Sequence, residues 1–245
     1  MKKIIVTGGS GRFGNYLKKV KSKHKFFFPT KNQLDILKLT SIRNYINKVK
    51  PDILIHLAGL SRPMSLHEKN IIKSIDLNII GTSNITKICS QLNIKLIYFS
   101  TNYVYPGTKG NYKESGSLLP VNNYAWSKLG GEAAVQLYKK SLILRLCMTD
   151  YPFTHKKAIK GAKSSFIYNK TVSKLMPFLL NEFGVMNIGG KKREIYDFAK
   201  KFTDKKISSI NLKKIKNFPK DSSINIEKLL NLLKKNHINL KKIIF

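Results

Sequence analysis

The first sixteen residues constrain the fold of this chain more than any other stretch. An apolar run at 4–6 is followed by Gly8, Gly11 and Gly14, and then by apolar residues at helical spacing. Glycines at these positions let the backbone turn sharply and let a phosphate approach without meeting a Cβ atom. The stretch therefore predicts a strand, a tight turn and a helix whose N-terminus faces phosphate groups, which is typical of a dinucleotide-binding site.

Apolar runs and amphipathic stretches alternate over the first 150 residues. The predicted strands are 4–6, 25–28, 53–57, 94–99 and 142–146, and the predicted helices after the first are 40–49, 71–92 and 122–138. This alternation predicts an α/β fold, a Rossmann-type doubly wound parallel sheet with helices on both faces. We expect a dinucleotide-binding domain at 1–150 and a small, shortened C-terminal substrate lobe at 151–245.

Local signals inside these stretches give finer expectations. Thr40 is a candidate N-cap, and Asn78 lies on a possible inner face of the helix at 71–92. The apolar side of that helix is predicted to consist of Ile75, Ile79, Ile85 and Ile88. In the second half, the basic stretch 156–163 is predicted to be a loop. A strand is predicted at 183–188, and helices at 171–181, 191–202 and 226–235.

The net charge of +33 raises the question of a nucleic-acid partner. The positive charges are nearly all lysines and are spread along the chain, whereas base reading and bidentate phosphate binding favour arginine. We therefore expect no specific nucleic-acid partner, and assign to the charge a role in steering small anions.

The cysteines and the length of the apolar runs indicate the cellular compartment. Cys89 and Cys147 lie in apolar contexts without metal-ligand spacing, so two buried thiols in a reducing cytoplasm and no metal site are expected. No apolar run approaches the ~20 residues of a membrane helix, and no signal peptide is recognised. The expected location is cytoplasmic, without a membrane span.

A tyrosine followed four residues later by a lysine places both side chains on one helix face. There the ammonium favours the phenolate and lowers a tyrosine pKa that is ordinarily about 10 toward a useful range. Three pairs have this spacing: Tyr105/Lys109, Tyr124/Lys128 and Tyr196/Lys200. The first pair straddles a proline, and the third follows no strand that ends near the glycine turn.

Tyr124 and Lys128 are the preferred catalytic pair. Their predicted helix directly follows a strand that ends in the hydroxyl residue Thr101, which could hold a substrate oxygen. The alternative interpretation is a buried tyrosine, a surface lysine and a turn-forming threonine. His56, at the end of an earlier strand, is interpreted as a packed core histidine rather than a catalyst.

The end of the second strand predicts the cofactor. An acid there accepts hydrogen bonds from a ribose hydroxyl, whereas a cation accommodates a 2′-phosphate. Here Thr30 and Lys31 follow the strand, and Arg12 could reach the same place. Asp35 comes seven residues later and is interpreted as a loop residue nearer the adenine. NADP is therefore favoured, with NAD as the alternative.

Several short motifs are spread along the chain. They are Thr7-Gly8-x-x-Gly11-x-x-Gly14, His56-Leu-Ala-Gly59, Asn78-x-x-Gly81-Thr82, Ser100-Thr101-Asn102-Tyr103-Val104-Tyr105-x-Gly107 and Tyr124-x-x-x-Lys128, followed by the C-terminal segments 184–190, 194–199 and 218–229. Together the motifs resemble those of the extended short-chain dehydrogenase/reductases, and the C-terminal segments resemble the dTDP-4-dehydrorhamnose reductase branch most closely. The resemblance covers nearly the whole chain.

This resemblance implies reduction of a keto group on a nucleotide-activated sugar. Tyr124 would donate the proton, Lys128 would tune Tyr124 and bind the nicotinamide ribose, and Thr101 would hydrogen-bond the substrate oxygen. Asn102 and Tyr103 would contact the sugar substrate. The implied cofactor-binding residues are Gly8, Gly11, Arg12, Phe13, Gly14, Thr30, Lys31, Asp35, Ile36, Leu57, Ala58 and Gly59, together with Tyr124 and Lys128.

The sequence also departs from the family. Asn102 stands where the reductases usually carry an acid and where sugar dehydratases carry the acid needed for water elimination, which disfavours dehydratase chemistry. The chain between Arg145 and Phe166 is shorter than the family's substrate-binding region. In the last C-terminal motif, Phe218 replaces the arginine that usually precedes the proline. The expected partner is a nucleotide-sugar substrate, and a homodimer is an open alternative to a monomer. Two other functions stay open: an epimerase of the same fold, and a non-catalytic dinucleotide-binding regulatory subunit.

Overall fold

A parallel sheet of six strands organises the computed structural model, which describes residues 1–201 and 206–238. The strands are β1 Lys3–Thr7, β2 Lys25–Phe27, β3 Ile53–His56, β4 Lys95–Thr101, β5 Ser141–Leu146, β6 Met148–Thr149, β7 Lys157–Lys160, β8 Lys163–Ser164, β9 Ile167–Tyr168, β10 Gly184–Ile188, β11 Arg193–Glu194 and β12 Ser208–Asn211. The order of the strands in the six-stranded sheet is β10-β5-β4-β3-β1-β2.

The helices connect and flank these strands. They are α1 Arg12–Leu17, α2 Leu39–Val49, α3 Leu66–Lys69, α4 Ile71–Ser74, α5 Gly81–Gln91, α6 Asn123–Gln136, α7 Asn169–Leu179, α8 Ile195–Lys201 and α9 Glu227–Lys235. A π-helical turn covers Ile75–Ile80, and 3₁₀ turns cover Asn102–Val104 and Leu212–Lys214.

The central strands are apolar because both faces of the sheet are covered. In β1, Ile4, Ile5 and Val6 are all fully buried, and Ile5 pairs in parallel register with Leu54 of β3. Strands buried on both faces are near-continuous hydrophobic runs rather than alternating ones. The α/β fold with a Rossmann-type parallel sheet, expected from the sequence, is confirmed.

The predicted helix at 71–92 is interrupted, which corrects its expected apolar face. The π-helical turn Ile75–Ile80 lies between α4 and α5. Because a π-helix has about one more residue per turn than an α-helix, the side chains before this turn face a different direction from the one that an uninterrupted α-helix would give them. Ile85 and Ile88 are buried as expected, whereas Ile75 is 41% exposed. Asn78, which the sequence places on a possible inner face, is buried, at 1% exposure.

Three local expectations are also wrong. The basic stretch 156–163 is not a loop, because β7 pairs in parallel with β12 and β8 pairs with β11. Thr40 does not cap α2, whose N-cap is Lys38 and has no side-chain hydrogen bond. The helix expected at 191–202 begins only at Ile195, after β11, and residue 202 lies outside the described residues.

The chain forms two compact units, each built from several segments. Unit 1 contains 1–100, 123–144 and 179–185, and unit 2 contains 101–122, 145–178 and 186–245, apart from the residues not described. Unit 1 has a large apolar core that includes Ile5, Leu54, Ile85, Leu96 and Ile143. Unit 2 has a smaller cluster around Phe153, Ala158, Phe198 and Ala199. The domain boundary near residue 150 stays a prediction.

Candidate functional site

The glycine turn after β1 is compact, and two of its positions tolerate no side chain. Gly8 has φ +68°, and a Cβ atom added there would lie 2.6 Å from the backbone nitrogen of Ala58. A Cβ atom on Gly14 would collide with the carbonyl of Gly9. The Gly11 N–H donates to the Gly8 carbonyl at 3.0 Å, which closes the turn.

The outer side of this turn is open to solvent. Gly11 and Arg12 are exposed, and a Cβ atom on Gly11 would meet only the Gly8 oxygen within 4 Å. Phe13 points inward and packs against Phe99, with ring centroids 4.9 Å apart. The turn therefore combines a fixed backbone with an accessible face, which is the shape that a pyrophosphate group requires.

The residues after β2 have distinct roles. The Thr30 backbone N–H donates to Oε1 of Gln33 at 2.9 Å, and Lys31 is exposed. Asp35 accepts from the Leu37 N–H at 3.0 Å, so its carboxylate stabilises the local turn. Ile36 is buried, and a Cβ atom on Gly81 would lie 2.6 Å from its side chain.

The end of β3 is held by a buried hydrogen-bond chain. Thr7 Oγ1 lies 2.7 Å from His56 Nδ1 and accepts from the Ala58 N–H at 3.3 Å. His56 Nε2 lies 3.1 Å from the Thr82 hydroxyl. Burial, and secondarily the charge of Lys128, lowers the pKa of His56 to about 3. His56 is thus a neutral core histidine that fixes the segment leading to Leu57, Ala58 and Gly59.

Asn78 joins that segment to helix α6. Its Oδ1 accepts from the Leu60 N–H at 2.7 Å, and its Nδ2 donates to the Leu60 carbonyl and to Ser127 Oγ, each at 2.8 Å. Ser127 in turn donates to the Tyr124 carbonyl at 2.8 Å. The π-helical turn thus places an amide between the β3 loop and the helix that carries Tyr124.

Tyr124 is half-buried beside a histidine that the sequence did not single out. The rings of Tyr124 and His67 meet edge to face with centroids 5.1 Å apart. His67 Nδ1 lies 2.7 Å from the Ser74 hydroxyl, and burial lowers the pKa of His67. Among the residues that the structure describes, none hydrogen-bonds His67 Nε2, although this atom is buried. A polar ligand group next to Tyr124 would satisfy it.

Lys128 is buried one turn after Tyr124, at 9% exposure. Its Nζ lies 4.2 Å from the centroid of the Tyr98 ring, and the Tyr98 hydroxyl donates to the Lys128 carbonyl at 3.1 Å. Burial lowers the pKa of Lys128 to about 7, and the charge of Glu132 opposes this shift. The negative charge of an ionised Tyr124 would contribute to raising the pKa of Tyr98, and the positive charge of Lys128 contributes to lowering the pKa of His67. These side chains therefore form one electrostatically linked cluster.

Glu132 is the second residue that sequence reasoning missed. It lies four residues after Lys128, is fully buried, and accepts a short hydrogen bond from Ser100 at the end of β4. The signal that could have revealed it is the i, i+4 spacing, which continues the face occupied by Tyr124 and Lys128. A buried carboxylate on this face favours the ammonium form of Lys128.

The remaining predicted residues lie at the last position of β4 and in the 3₁₀ turn after it, and they belong to unit 2. Thr101 Oγ1 accepts from the Tyr103 N–H at 3.3 Å, and both Thr101 and Asn102 are buried. Asn102 Nδ2 donates to the Ser222 carbonyl at 2.9 Å. The ring of Tyr103 packs edge to face on Phe218, with centroids 5.9 Å apart. Two departures from the family, Asn102 and Phe218, thus both contribute internal contacts of unit 2.

Residues 1–201 and 206–238 contain no group of three or more His, Cys, Asp or Glu side chains that could hold a metal ion. Within the same ranges, no helix has the length and apolarity needed to cross a lipid bilayer.

A parallel sheet with an accessible glycine turn after its first strand defines the class of Rossmann-type dinucleotide-binding folds. Residues 1–149 match the family model described as RmlD substrate binding domain, and the chain belongs to this family.

Known proteins similar to this chain carry different names. The chain is 28% identical over 143 residues to methionine adenosyltransferase 2 subunit beta of Xenopus laevis. This match covers 55% of this chain and 42% of that protein. It is 34% identical over 146 residues to GDP-6-deoxy-D-talose 4-dehydrogenase of Aggregatibacter actinomycetemcomitans. This match covers 56% of this chain and 48% of that protein. The matched region thus spans less than half of each relative.

The fold is shared over nearly the whole chain with a solved structure. This is dTDP-4-dehydrorhamnose reductase from Bacillus anthracis in complex with NADP, with a TM-score of 0.84 and 20% sequence identity. The superposition covers 97% of this chain and 94% of that one.

Proposed function

We propose that this protein is an NADP-dependent reductase of a nucleotide-activated 4-keto sugar. The observation that carries the proposal is Lys128, a buried lysine whose pKa is lowered to about 7 and which lies one helical turn after Tyr124. Burying a lysine is costly, so such a position is expected where the group has a chemical task. Membership of the RmlD family supports the same activity, and the name of one relative, GDP-6-deoxy-D-talose 4-dehydrogenase, indicates oxidation or reduction of a nucleotide-linked sugar.

The cofactor site proposed in unit 1 fits a dinucleotide. The constrained turn at Gly8 and Gly14 leaves the Gly11 side open for a pyrophosphate, and the exposed cations Arg12 and Lys31 suit a 2′-phosphate. The NADP reported with the Bacillus anthracis reductase agrees with this choice. When bound, this cofactor would supply a hydride to the carbonyl carbon of the substrate.

The protein's own residues would handle the proton. Tyr124 is proposed to donate its phenolic proton to the carbonyl oxygen, and Lys128 to stabilise the resulting phenolate and bind the cofactor ribose. A lysine with a pKa near 7 exchanges its proton readily at neutral pH, so it can restore the proton of Tyr124. The role of Thr101 on the substrate oxygen, and contacts of Asn102 and Tyr103 with the sugar, stay predictions.

The test is net oxidation of NADPH in the presence of a panel of nucleotide-linked 4-keto sugars. We expect stoichiometric consumption with at least one member of the panel, and a higher kcat/KM with NADPH than with NADH. Cofactor turnover without net consumption would instead indicate an epimerase. A Lys31→Gln variant should narrow the preference for NADPH, with Lys38→Gln, another exposed lysine, as its control.

A second candidate is a non-catalytic dinucleotide-binding subunit. It is favoured by one observation: several relatives of this chain are named methionine adenosyltransferase 2 subunit beta, which is a subunit name. In that case the protein would bind NADPH but oxidise none of it with any sugar of the panel. The reductase proposal would then be abandoned, while the proposed cofactor site would stand.

A further inference from the structure

A cavity lies at the amino ends of the sheet strands, whereas the glycine turn follows the carboxyl end of β1. It has a volume of about 460 Å³ and belongs entirely to unit 1, at the amino ends of β1, β3 and β4. Its lining includes Lys2, Asp52, Asn93, Lys95, Lys140 and Phe183. Nothing in the proposed reductase activity uses this edge, because ligands of open α/β sheets bind at the carboxyl ends of the strands.

Three lysines reach this cavity from separate segments. Lys2 Nζ donates to Asn181 Oδ1 at 2.7 Å, and Lys95 Nζ donates to the Glu182 carbonyl at 2.6 Å. Lys140 Nζ donates to the Asn93 carbonyl at 2.6 Å. These acceptors are all neutral oxygens, which orient the ammonium groups without neutralising their charge. Each ammonium has three donors, so the cluster keeps donors for a ligand.

Lys95 is the least exposed of the three, at 4%. Its Nζ lies 3.6 Å from the centroid of the Phe183 ring. Burial, then the charge of Lys2, lowers the pKa of Lys95 to about 8; Glu182 opposes this shift and Lys140 adds to it. Like charges gathered in a partly desolvated place destabilise the free protein, and a bound anion would relieve that repulsion.

The acidic residue of the lining does not neutralise the cluster by contact with a lysine side chain. Asp52 is exposed, and its Oδ2 accepts from the Lys3 backbone N–H at 2.7 Å. The half-exposed ring of Phe183 adds an apolar wall beside Lys95. The cavity therefore combines three cations with room for a small molecule.

We propose that this cavity binds the diphosphate group of a small anion, held by Lys2, Lys95 and Lys140. A diphosphate carries several negative charges on closely spaced oxygens, which matches three ammonium groups better than a single carboxylate does. Free pyrophosphate and a nucleoside diphosphate share this chemistry. The site is separate from the proposed cofactor site, and it does not depend on the chain being a reductase.

The test is calorimetric titration of the full chain with pyrophosphate and, in a parallel arm, with ADP, both at constant ionic strength. We expect Lys95→Met and Lys140→Gln each to remove one binding site or to weaken it at least tenfold. Lys139→Gln is the matched control: it removes the same charge from the adjacent, exposed residue and should bind like the wild type. Both titrations are done with NADPH present at saturating concentration, so that the proposed cofactor site is occupied. Tighter binding of ADP than of pyrophosphate at the site that Lys140→Gln weakens would assign the diphosphate to a nucleotide.

The pH dependence gives a second readout. Lys95 must be an ammonium to bind an anion, so affinity should fall as the pH rises through about 8, and this step should be absent in Lys95→Met. The charged groups around Lys95 are Lys2, Lys140, Glu182 and Asp52. The proposal is overturned if Lys140→Gln and Lys139→Gln weaken binding equally, or if both bind like the wild type. Because Lys140 is only partly buried, that comparison holds even if Lys95→Met does not fold.

Discussion

Helices α6 and α8 carry the same tyrosine–lysine spacing in different surroundings. In α6, Lys128 is buried against the ring of Tyr98, and Tyr124 lies beside His67. In α8, Lys200 is exposed, and Tyr196 packs against an apolar cluster that contains Phe198. Spacing puts a phenol and an ammonium on one face in both helices. In α6, burial lowers the pKa of Lys128 to about 7, where a proton can be exchanged, whereas Lys200 in α8 lies in solvent.

The largest difference between the two helices should appear when their tyrosines lose the hydroxyl group. Tyr124→Phe is expected to lower the rate of NADPH oxidation by about 10²–10⁴-fold, because a general acid is lost, with cofactor affinity nearly unchanged. Tyr196→Phe is the control and should react like the wild type. Steady-state kinetics and cofactor titration check both variants, and full activity in Tyr124→Phe would remove our assignment of the proton donor.

The second comparison concerns the lysines. Lys128→Met should lower the rate by about 100-fold, because the positive charge beside Tyr124 is lost, and it should also weaken NADPH binding. Lys200→Met removes an exposed charge in α8 and should alter neither quantity. If both variants lost activity to the same degree, the difference between the helices would have no functional meaning.

A smaller effect is expected from the carboxylate that follows Lys128. Glu132→Gln keeps an acceptor for Ser100 but removes the charge that raises the pKa of Lys128, so this pKa should fall below about 7. The rate at neutral and alkaline pH should then drop by up to about tenfold, as expected for one pKa unit, and recover as the pH is lowered. Glu227→Gln, which removes an exposed carboxylate at the start of α9, is the control for the pH–rate profile. An unshifted profile in Glu132→Gln would exclude this role.

The smallest effect on the rate should come from removing the side-chain amide of Asn78, which connects α6 to the loop after β3. Asn78→Ala removes three hydrogen bonds and leaves the Leu60 backbone groups without their partner, so the free energy of unfolding should fall by about 1–3 kcal/mol. The rate should fall about threefold. Asn84→Ala removes a single bond to the Ile36 carbonyl and should cost less stability in chemical denaturation. Equal losses of stability would show that Asn78 has no special role.

The main sheet could be predicted because its signals are local. Buried strands such as β1 and β3 are short apolar runs, and the glycines that follow β1 mark a turn that larger residues would disrupt. The choice of Tyr124 and Lys128 among three pairs also followed from chain order. The catalytic roles of Tyr124 and Lys128 stay predictions.

The features that were missed depend on distant parts of the chain. β7 is a basic stretch without alternation, and it forms by pairing with β12, some fifty residues away. The π-helical turn is associated with Asn78, whose partners Leu60 and Ser127 lie far from it in sequence. Likewise, the burial of Glu132 requires the end of β4 to lie beside α6. Single-sequence periodicity contains no information about such pairings.

The titration of Lys128 tests the central claim most directly. Side-chain NMR of isotope-labelled lysines, assigned with the Lys128→Met variant, would follow the Lys128 ammonium between pH 5 and about 11, a range that spans the ordinary lysine pKa. We predict a titration step near pH 7, because burial disfavours the charged form. An ammonium that stayed protonated up to pH 10 would contradict the account, since α6 would then differ from α8 in burial but not in reactivity.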